Sequence, residues 1–355
     1  MSLWIDKYRP QTLNSLNYHP DVSSRLKSLA SSPDFPHLLI YGPSGSGKKT
    51  RVLAILTELY GHGVNKMKID VRQFTTSSNK KLEFNIISSA YHIEITPSDL
   101  GNNDRVVIQD LLKEIASTEQ VDFSTGKHRF KIVVINEADS LSRDAQAALR
   151  RTMEKYSRNV RLILISNTTS NIIPPIKSRV LLIRIAAPQV EDIVQVLTSL
   201  DRKLNLVNLT SDDEQKLQLF RTIAVTSERN LRRAVLLFET LAIQNDTLDA
   251  STKMVQLDWE LVIAKLASDI LRERNVSRIG QCRTVMYELL SHCIPAKIIL
   301  KTLAFDLVRL VNLQTKAQIV AIAAVFDERL SLGSKVIYHL EGFVAKAMVA
   351  IEENQ

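Results

Sequence analysis

The stretch "YGPSGSGKKT", Tyr41 to Thr50, decides how the rest of the chain is read. Gly42, Gly47 and Lys48 meet the pattern G-x-x-x-x-G-K-[ST], with Pro43, Ser44, Gly45 and Ser46 in the four free positions. Glycines at such spacing let backbone N–H groups turn inward around phosphates at a helix N-terminus. The last position breaks the rule. Lys49 stands where a hydroxyl holds the magnesium of a bound nucleotide, and Thr50 falls one residue out of register. Lys48 is placed to meet the β- and γ-phosphates, whereas an ammonium at 49 cannot ligate a metal cation.

The neighbours supply the context that a phosphate loop needs. "PHLLIYG" (Pro36 to Gly42) is a short apolar run ending at glycine, the pattern of a buried strand. "KKTRVLAILTELYG" has helical spacing, with Val52, Ile55, Leu56 and Leu59 on one face and Gly61 as a stop. Further along, "YHIEITPSD" (Tyr91 to Asp99) and "VRLILISN" (Val160 to Asn167) read as strands. "DRVVIQDLLKEIAS" (Asp104 to Ser117) and "DAQAALRRTMEKYS" read as helices. Strands alternating with helices predict a parallel sheet covered on both faces. "FKIVVINEAD" (Phe130 to Asp139) is an apolar run closed by acids, the second half of a nucleotide site. The first acid of such a run usually holds magnesium and the second polarises the attacking water. Here the first is Asn136, an amide without charge, and Glu137 remains. With two magnesium contacts weakened, hydrolysis is depressed severely. Binding suffers less, because Lys48 and the loop amides act on the phosphates directly. The plainer alternative is a packed strand whose acids cap the next helix.

The 355 residues suffice for two or three domains, and 45% hydrophobic with 24% charged residues is the balance of a globular protein. No apolar run is long enough to span a membrane, and "MSLWIDKYRP" is unlike a signal peptide, so an intracellular protein is expected. Cys282 and Cys293 lack metal-ligand spacing and read as buried packing thiols. Of 46 Lys and Arg and 38 Asp and Glu, only 12 and 11 fall from Val255 onward, so +7 of the net +8 sits in the first two thirds. That asymmetry points to an anionic partner for the N-terminal part. From about Ala187 the strand signal ends. "VEDIVQVLTSL", "EQKLQLFRTIAV" and "NLRRAVLLFETLAI" are successive helices, and a wholly helical region starts near Leu257. Boundaries fall near 187 and 252, giving segments 1–186, 187–251 and 252–355.

With these motifs in order, the chain resembles the small subunits of replication factor C, the AAA+ clamp loader of eukaryotes, over nearly its whole length. "WIDKYRP" (Trp4 to Pro10) is similar to the family's opening W-x-x-K-Y-R-P. "NEADSLSRDAQAALRRTMEKYS" (Asn136 to Ser157) is similar to its second acidic motif and the helix after it, and "ISN" (Ile165 to Asn167) to its sensor-one asparagine. "IKSRV" (Ile176 to Val180) matches S-R-C with Val180 in place of cysteine, and "NLRRA" (Asn230 to Ala234) matches the sensor-two arginine segment. The paired departures G-K-K-T and N-E-A-D are similar to those of one particular member of the family.

The resemblance implies an α/β AAA+ core with a parallel sheet (1–186), a small helical lid (187–251) and an all-α collar for oligomerisation (252–355). It places Tyr8, Arg9 and Pro10 beside the adenine of ATP or ADP and Asn167 at the γ-phosphate, with Arg232 closing over it from the lid. Arg179 is implied to project, in trans, into the nucleotide site of a neighbouring subunit; read from the residues alone, it is a solvated arginine after "IIPPIKSR". The implied partners are four other replication factor C subunits, one large and three small, a sliding clamp and primer–template DNA. Alternative large subunits of checkpoint and cohesion loaders are implied as well, with a nuclear location and no membrane. Asn103 and Arg105, in "GNNDRVVIQ" (Gly101 to Gln109), are expected to meet DNA phosphates at a helix start, unless Asp104 simply caps that helix and Arg105 is solvated. "CIPAKIILKTLAFDLVRL" and "LSLGSKVIYHLEGFVAKAMVAI" carry more apolar surface than isolated amphipathic helices need, which suits packing between subunits or the core of a bundle. Glu137 is expected to be idle and magnesium weak or absent at this site. Two rivals stay open: an autonomous ATPase in which Asn136 and water suffice for the metal, and a structural ring member whose nucleotide site is a relic.

Overall fold

A computed structural model of the chain describes residues 2–32, 34–75, 81–97, 103–117, 130–157, 159–204, 206 and 212–354. It divides into two compact units, Met1–Met254 and Val255–Gln355.

The first unit opens with α1 (Trp4–Lys7) and α2 (Pro20–Ser31), then β1 (Leu38–Tyr41), α3 (Lys48–Tyr60), β2 (Lys68–Thr75), β3 (Lys81–Ser88) and β4 (His92–Ile95). It continues through α4 (Asp104–Ser117), β5 (Lys131–Ile135), α5 (Arg143–Lys155), β6 (Val160–Ser166), α6 (Pro174–Lys177) and β7 (Leu181–Arg184). Three helices close it: α7 (Val190–Leu204), α8 (Asp213–Thr226) and α9 (Leu231–Gln244). One sheet has the order β2-β3-β4-β5-β6-β1-β7. Strands β4, β5, β6, β1 and β7 run parallel, so their C-terminal ends share one edge. Strands β2 and β3 form an antiparallel hairpin, and β3 meets β4 antiparallel.

The alternation of a strand sends successive side chains to opposite faces, and two cores result. Val133 and Ile135 of β5, Leu162 and Leu164 of β6 and Leu39 of β1 join Val107, Leu111 and Leu149 from α4 and α5. Ile132, Val134, Ile163, Ile165, Leu38 and Ile40 join Val52, Ile55, Leu56 and Leu59 of α3 on the other face. Apolar on both sides, these strands read as continuous hydrophobic runs, as parallel strands buried on both faces do. The hairpin and β7 escape that reading for a physical reason. Ile69 and Val71 of β2 and Leu181 and Leu182 of β7 are exposed, so their apolar residues mark edges of the sheet and not its middle. Ser98, Asp99, Gly101 and Asn102, which end one expected strand and open the expected DNA-contacting stretch, lie outside the described residues.

Asp104 ties its own helix to the next one. Its carboxylate, buried at the start of α4, accepts from the Ser142 N–H at 2.7 Å and the Ser142 hydroxyl at 2.8 Å. Ser142 in turn caps α5 by accepting from the Ala145 N–H. One buried acid thus joins the starts of two helices.

The second unit holds α10 (Asp258–Arg272), α11 (Val276–Ser291), α12 (Ala296–Leu310), α13 (Leu313–Leu332) and α14 (Val336–Glu353). Helix α14 buries Leu340, Phe343, Val344, Ala347 and Ile351, the three- and four-residue spacing of a core-facing stripe. With Leu266, Met286, Leu303 and Ile319 they form a core confined to this unit. The expectation for the cysteines needs correcting. Cys282 is buried in that core, but Cys293 is exposed, because the chain turns through a left-handed conformation there just past the end of α11.

Candidate nucleotide-binding site

The C-terminal edge of the parallel strands, the usual place for ligands in such sheets, opens into a cleft of about 560 Å³. Its walls bring together Tyr8, Arg9 and Pro10, Ser44, Gly45, Gly47, Lys48, Lys49 and Thr50 of the loop, Asn136 and Glu137, Asn167, and Arg232. Gly42, Pro43 and Ser46 complete the loop without lining the cleft. Arg179, Asn103 and Arg105 do not line it either.

The loop after β1 is shaped by close approaches. Gly45 adopts φ +74°, and a Cβ there would stand 1.7 Å from Asn230 Oδ1. That same oxygen caps α9 by accepting from the Arg233 N–H at 3.2 Å. Gly47 adopts φ +81°, and its Cβ would stand 2.0 Å from the Tyr18 hydroxyl, which donates to Ser46 O. Only glycine fits both places.

Lys48, the first residue of α3, donates from Nζ to Gly42 O at 2.7 Å, Pro43 O at 2.8 Å and Asn167 Oδ1 at 3.0 Å. Burial pushes its ammonium down to about 8; the Asp139 carboxylate opposes that shift and the Arg232 guanidinium adds to it. The Asn167 N–H donates to Asp139 Oδ2 at 3.3 Å, so Asp139, Asn167 and Lys48 form one chain of contacts. Beneath the loop, Arg51 is wholly buried. Its guanidinium lies 4.4 Å from the Tyr18 ring and donates to Tyr18 O at 2.7 Å.

The wall opposite the loop is built from the N-terminus. The Trp4 N–H donates to both carboxylate oxygens of Glu239 on α9, and the Trp4 ring meets Phe238 edge-on at 5.6 Å. This anchorage sets Tyr8–Pro10 against the cleft.

The two unusual residues meet. Lys49 Nζ is paired with Glu94 Oε1, and Asn136 Nδ2 donates to the same oxygen at 2.7 Å and to Thr96 Oγ1 at 3.2 Å. The Glu94 side chain is 5% exposed. Glu137, beside Asn136, has a left-handed backbone with φ 50° and is exposed at the cleft. Glu94 was missed by reasoning from sequence, although one signal existed: in "HIEI" it shares the inward face with buried His92. Arg51 was missed too, four residues before Ile55 on the buried face of α3.

Arg179 sits at the surface after α6. Its Nη2 pairs with Glu154 of α5 at 2.7 Å, and Nη1 donates to Pro175 O at 2.8 Å and to Ser178 Oγ at 3.2 Å. Arg105 is exposed and 3.9 Å from Asp144, and Asn103 is exposed.

A phosphate loop at the edge of this sheet, with helices α7 and α9 completing the cleft, defines a nucleotide-binding module of the AAA+ class. Comparison with known proteins narrows that. The family "Replication factor C subunit 3, C-terminal domain" matches residues 259–355, "RCF1/5-like, AAA+ ATPase lid domain" matches 207–243, and "DNA polymerase III, delta subunit" matches 18–189. Replication factor C subunit 5 of Neurospora crassa is 56% identical over 99% of this chain and 98% of its own. Subunit 5 of Saccharomyces cerevisiae is 52% identical over 99% and 100%, and subunit 3 of Homo sapiens 47% over 98% and 96%. A RuvB mutant of Thermotoga maritima shares the fold with a TM-score of 0.50 at 14% identity, covering 74% of this chain and 81% of that one. The chain belongs to the replication factor C small subunits, in the branch called subunit 5 in yeasts and subunit 3 in vertebrates.

No helix among the described residues is long and apolar enough to cross a membrane.

Proposed function

We propose that this chain is one of five subunits of a replication factor C clamp loader, which uses ATP to open a sliding clamp and place it on primer–template DNA in the nucleus. Residues 1–186 serve as the nucleotide-binding core, 187–251 as its lid and 252–355 as the collar that joins the four other subunits. The same chain serves beside alternative large subunits in checkpoint and cohesion loaders. Its own site holds ATP or ADP without turning it over, with the base beside Tyr8–Pro10, the phosphates at Lys48 and the loop, and Asn167 and Arg232 closing the far side. Glu137 stays idle. Arg179 acts in the site of a neighbour, and Asn103 and Arg105 meet DNA phosphates. Supporting the collar reading, the second unit exposes Phe305, Leu310, Leu313, Leu332 and Tyr338, a surface of the kind that partners cover.

The observation that supports holding without turnover is the split within one cleft. The phosphate-facing half keeps Lys48 at the centre of its loop, while the half that would activate water presents the Asn136 amide. The test is the clamp- and DNA-stimulated ATPase of the assembled complex with Lys48→Ala or Arg179→Ala in this subunit. Arg179→Ala should cut turnover deeply, since an arginine supplied in trans is worth about 10³–10⁵ in rate at analogous sites. Lys48→Ala should leave turnover nearly unchanged. The reverse result would mean that this site fires for itself.

A further inference from the structure

The two departures from phosphate-loop chemistry, Lys49 and Asn136, lie far apart in sequence, yet both grip Glu94 Oε1. Glu94 projects from β4, the parallel neighbour of β5, and Asn136 follows the end of β5. A carboxylate removed from water needs a positive partner and filled lone pairs. Lys49 supplies the charge, and Asn136 supplies the second donor to the same oxygen. A carboxylate only accepts, so the contact to Glu94 fixes the Asn136 amide with its nitrogen inward.

Magnesium does not fit this set. It demands an octahedron of oxygens, and here an ammonium stands at one of its two usual protein positions and an amide at the other. Glu94, the carboxylate that both residues touch, is already paired with the Lys49 ammonium. Among the described residues no group of three or more His, Cys, Asp and Glu is arranged to hold a metal ion.

We infer that Lys49, held by Glu94 whose same oxygen also accepts from Asn136, is a resident cation that replaces the metal, so that this site takes a nucleoside polyphosphate in its metal-free form. The inference rests on the reading that the site holds nucleotide. Lys49 and Lys48 are successive residues at the N-terminus of α3, both on the cleft wall, so two ammoniums and the helix terminus meet the polyphosphate. Glu94 gives Lys49 a fixed position, and Lys48, Lys203 and Arg232 add positive charge to the lining of the same cleft. In a magnesium-bearing site the cation arrives with the nucleotide. Here it is part of the chain, and the phosphates come to it alone.

The test is equilibrium binding of ADP with a fluorescent ribose label to the full chain, in magnesium and in EDTA. The wild-type dissociation constant should agree within about twofold between the two buffers. The double variant Lys49→Thr, Asn136→Asp restores two oxygen ligands and should bind at least about tenfold more weakly in EDTA than in magnesium. Lys49→Thr alone, should the pair not fold, should show the same dependence in smaller degree. Wild-type binding that weakens about tenfold or more in EDTA would overturn the inference and leave the holding reading intact. Variants indifferent to magnesium would overturn the assignment to Lys49. Wild-type chain that binds in neither buffer would overturn both readings together.

Discussion

Lys48 is charged at some cost, and that has a measurable signature. Burial holds its pKa near 8 in the empty site. A bound phosphate favours the charged form, so the pKa rises on binding. Below pH 8 the empty site is already charged and affinity is flat. Above it the nucleotide must bind a proton along with itself, and affinity falls by up to about tenfold per pH unit. Titrating ADP affinity from about pH 7 to about pH 9.5 checks this, and a flat profile would count against Lys48 as the phosphate ligand. At this scale the sequence was legible wherever a residue sits in a local motif. Lys48 and Asn136 could be brought to one place on paper from the strand and helix signals around them, and Asn167 and Arg232 from the resemblance to a known family. Glu94 and Arg51 could not. Their positions depend on a tertiary contact to Lys49 and to Tyr18, and the alternation that sets Glu94 on the face of His92 does not by itself say which face is buried.

The four-residue α1 cannot hold itself, since one turn of helix does not offset its own nucleation. Its place comes from Trp4, bonded to Glu239 and set against Phe238 on α9. Trp4→Ala should therefore free the segment as a unit, at a local cost of about 2–3 kcal/mol. Hydrogen exchange should rise over the segment's amides, and nucleotide affinity should fall about five- to tenfold. Faster exchange with unchanged affinity would remove Tyr8–Pro10 from the base-binding wall. Among the larger elements, α3, α4, α5, β5 and β6 were legible because burial on one face or both wrote a plain period into the sequence. The two rim strands, β2 and β7, were not. A strand at the rim of a sheet obeys hydrogen bonding to one neighbour more than burial, so its apolar residues lose their meaning as a pattern.

Each of the two units has a core of its own, with separate clusters of buried residues on the sheet and in the α10–α14 bundle. Calorimetry of the full chain should accordingly show two thermal transitions. Nucleotide should stabilise only that of Met1–Met254, by about 2.7 kcal/mol at a hundredfold excess over its dissociation constant. A single transition that moves as a whole would mean that the units unfold as one. The change from sheet to bundle was readable in the sequence from the loss of strand signal and the levelling of charge near Val255. The exposure of Leu313 and Leu332 was not, because an apolar residue on a helix looks alike whether it faces its own bundle or a partner.

The guanidinium of Arg179 is already engaged, by Glu154, by a backbone carbonyl and by Ser178. Meeting any outside anion is therefore an exchange of one ion pair for another. The gain is the difference between two similar terms, and small differences reverse easily. A contact built this way is set by the competition between Glu154 and the incoming anion, so its strength follows whichever carries the better geometry.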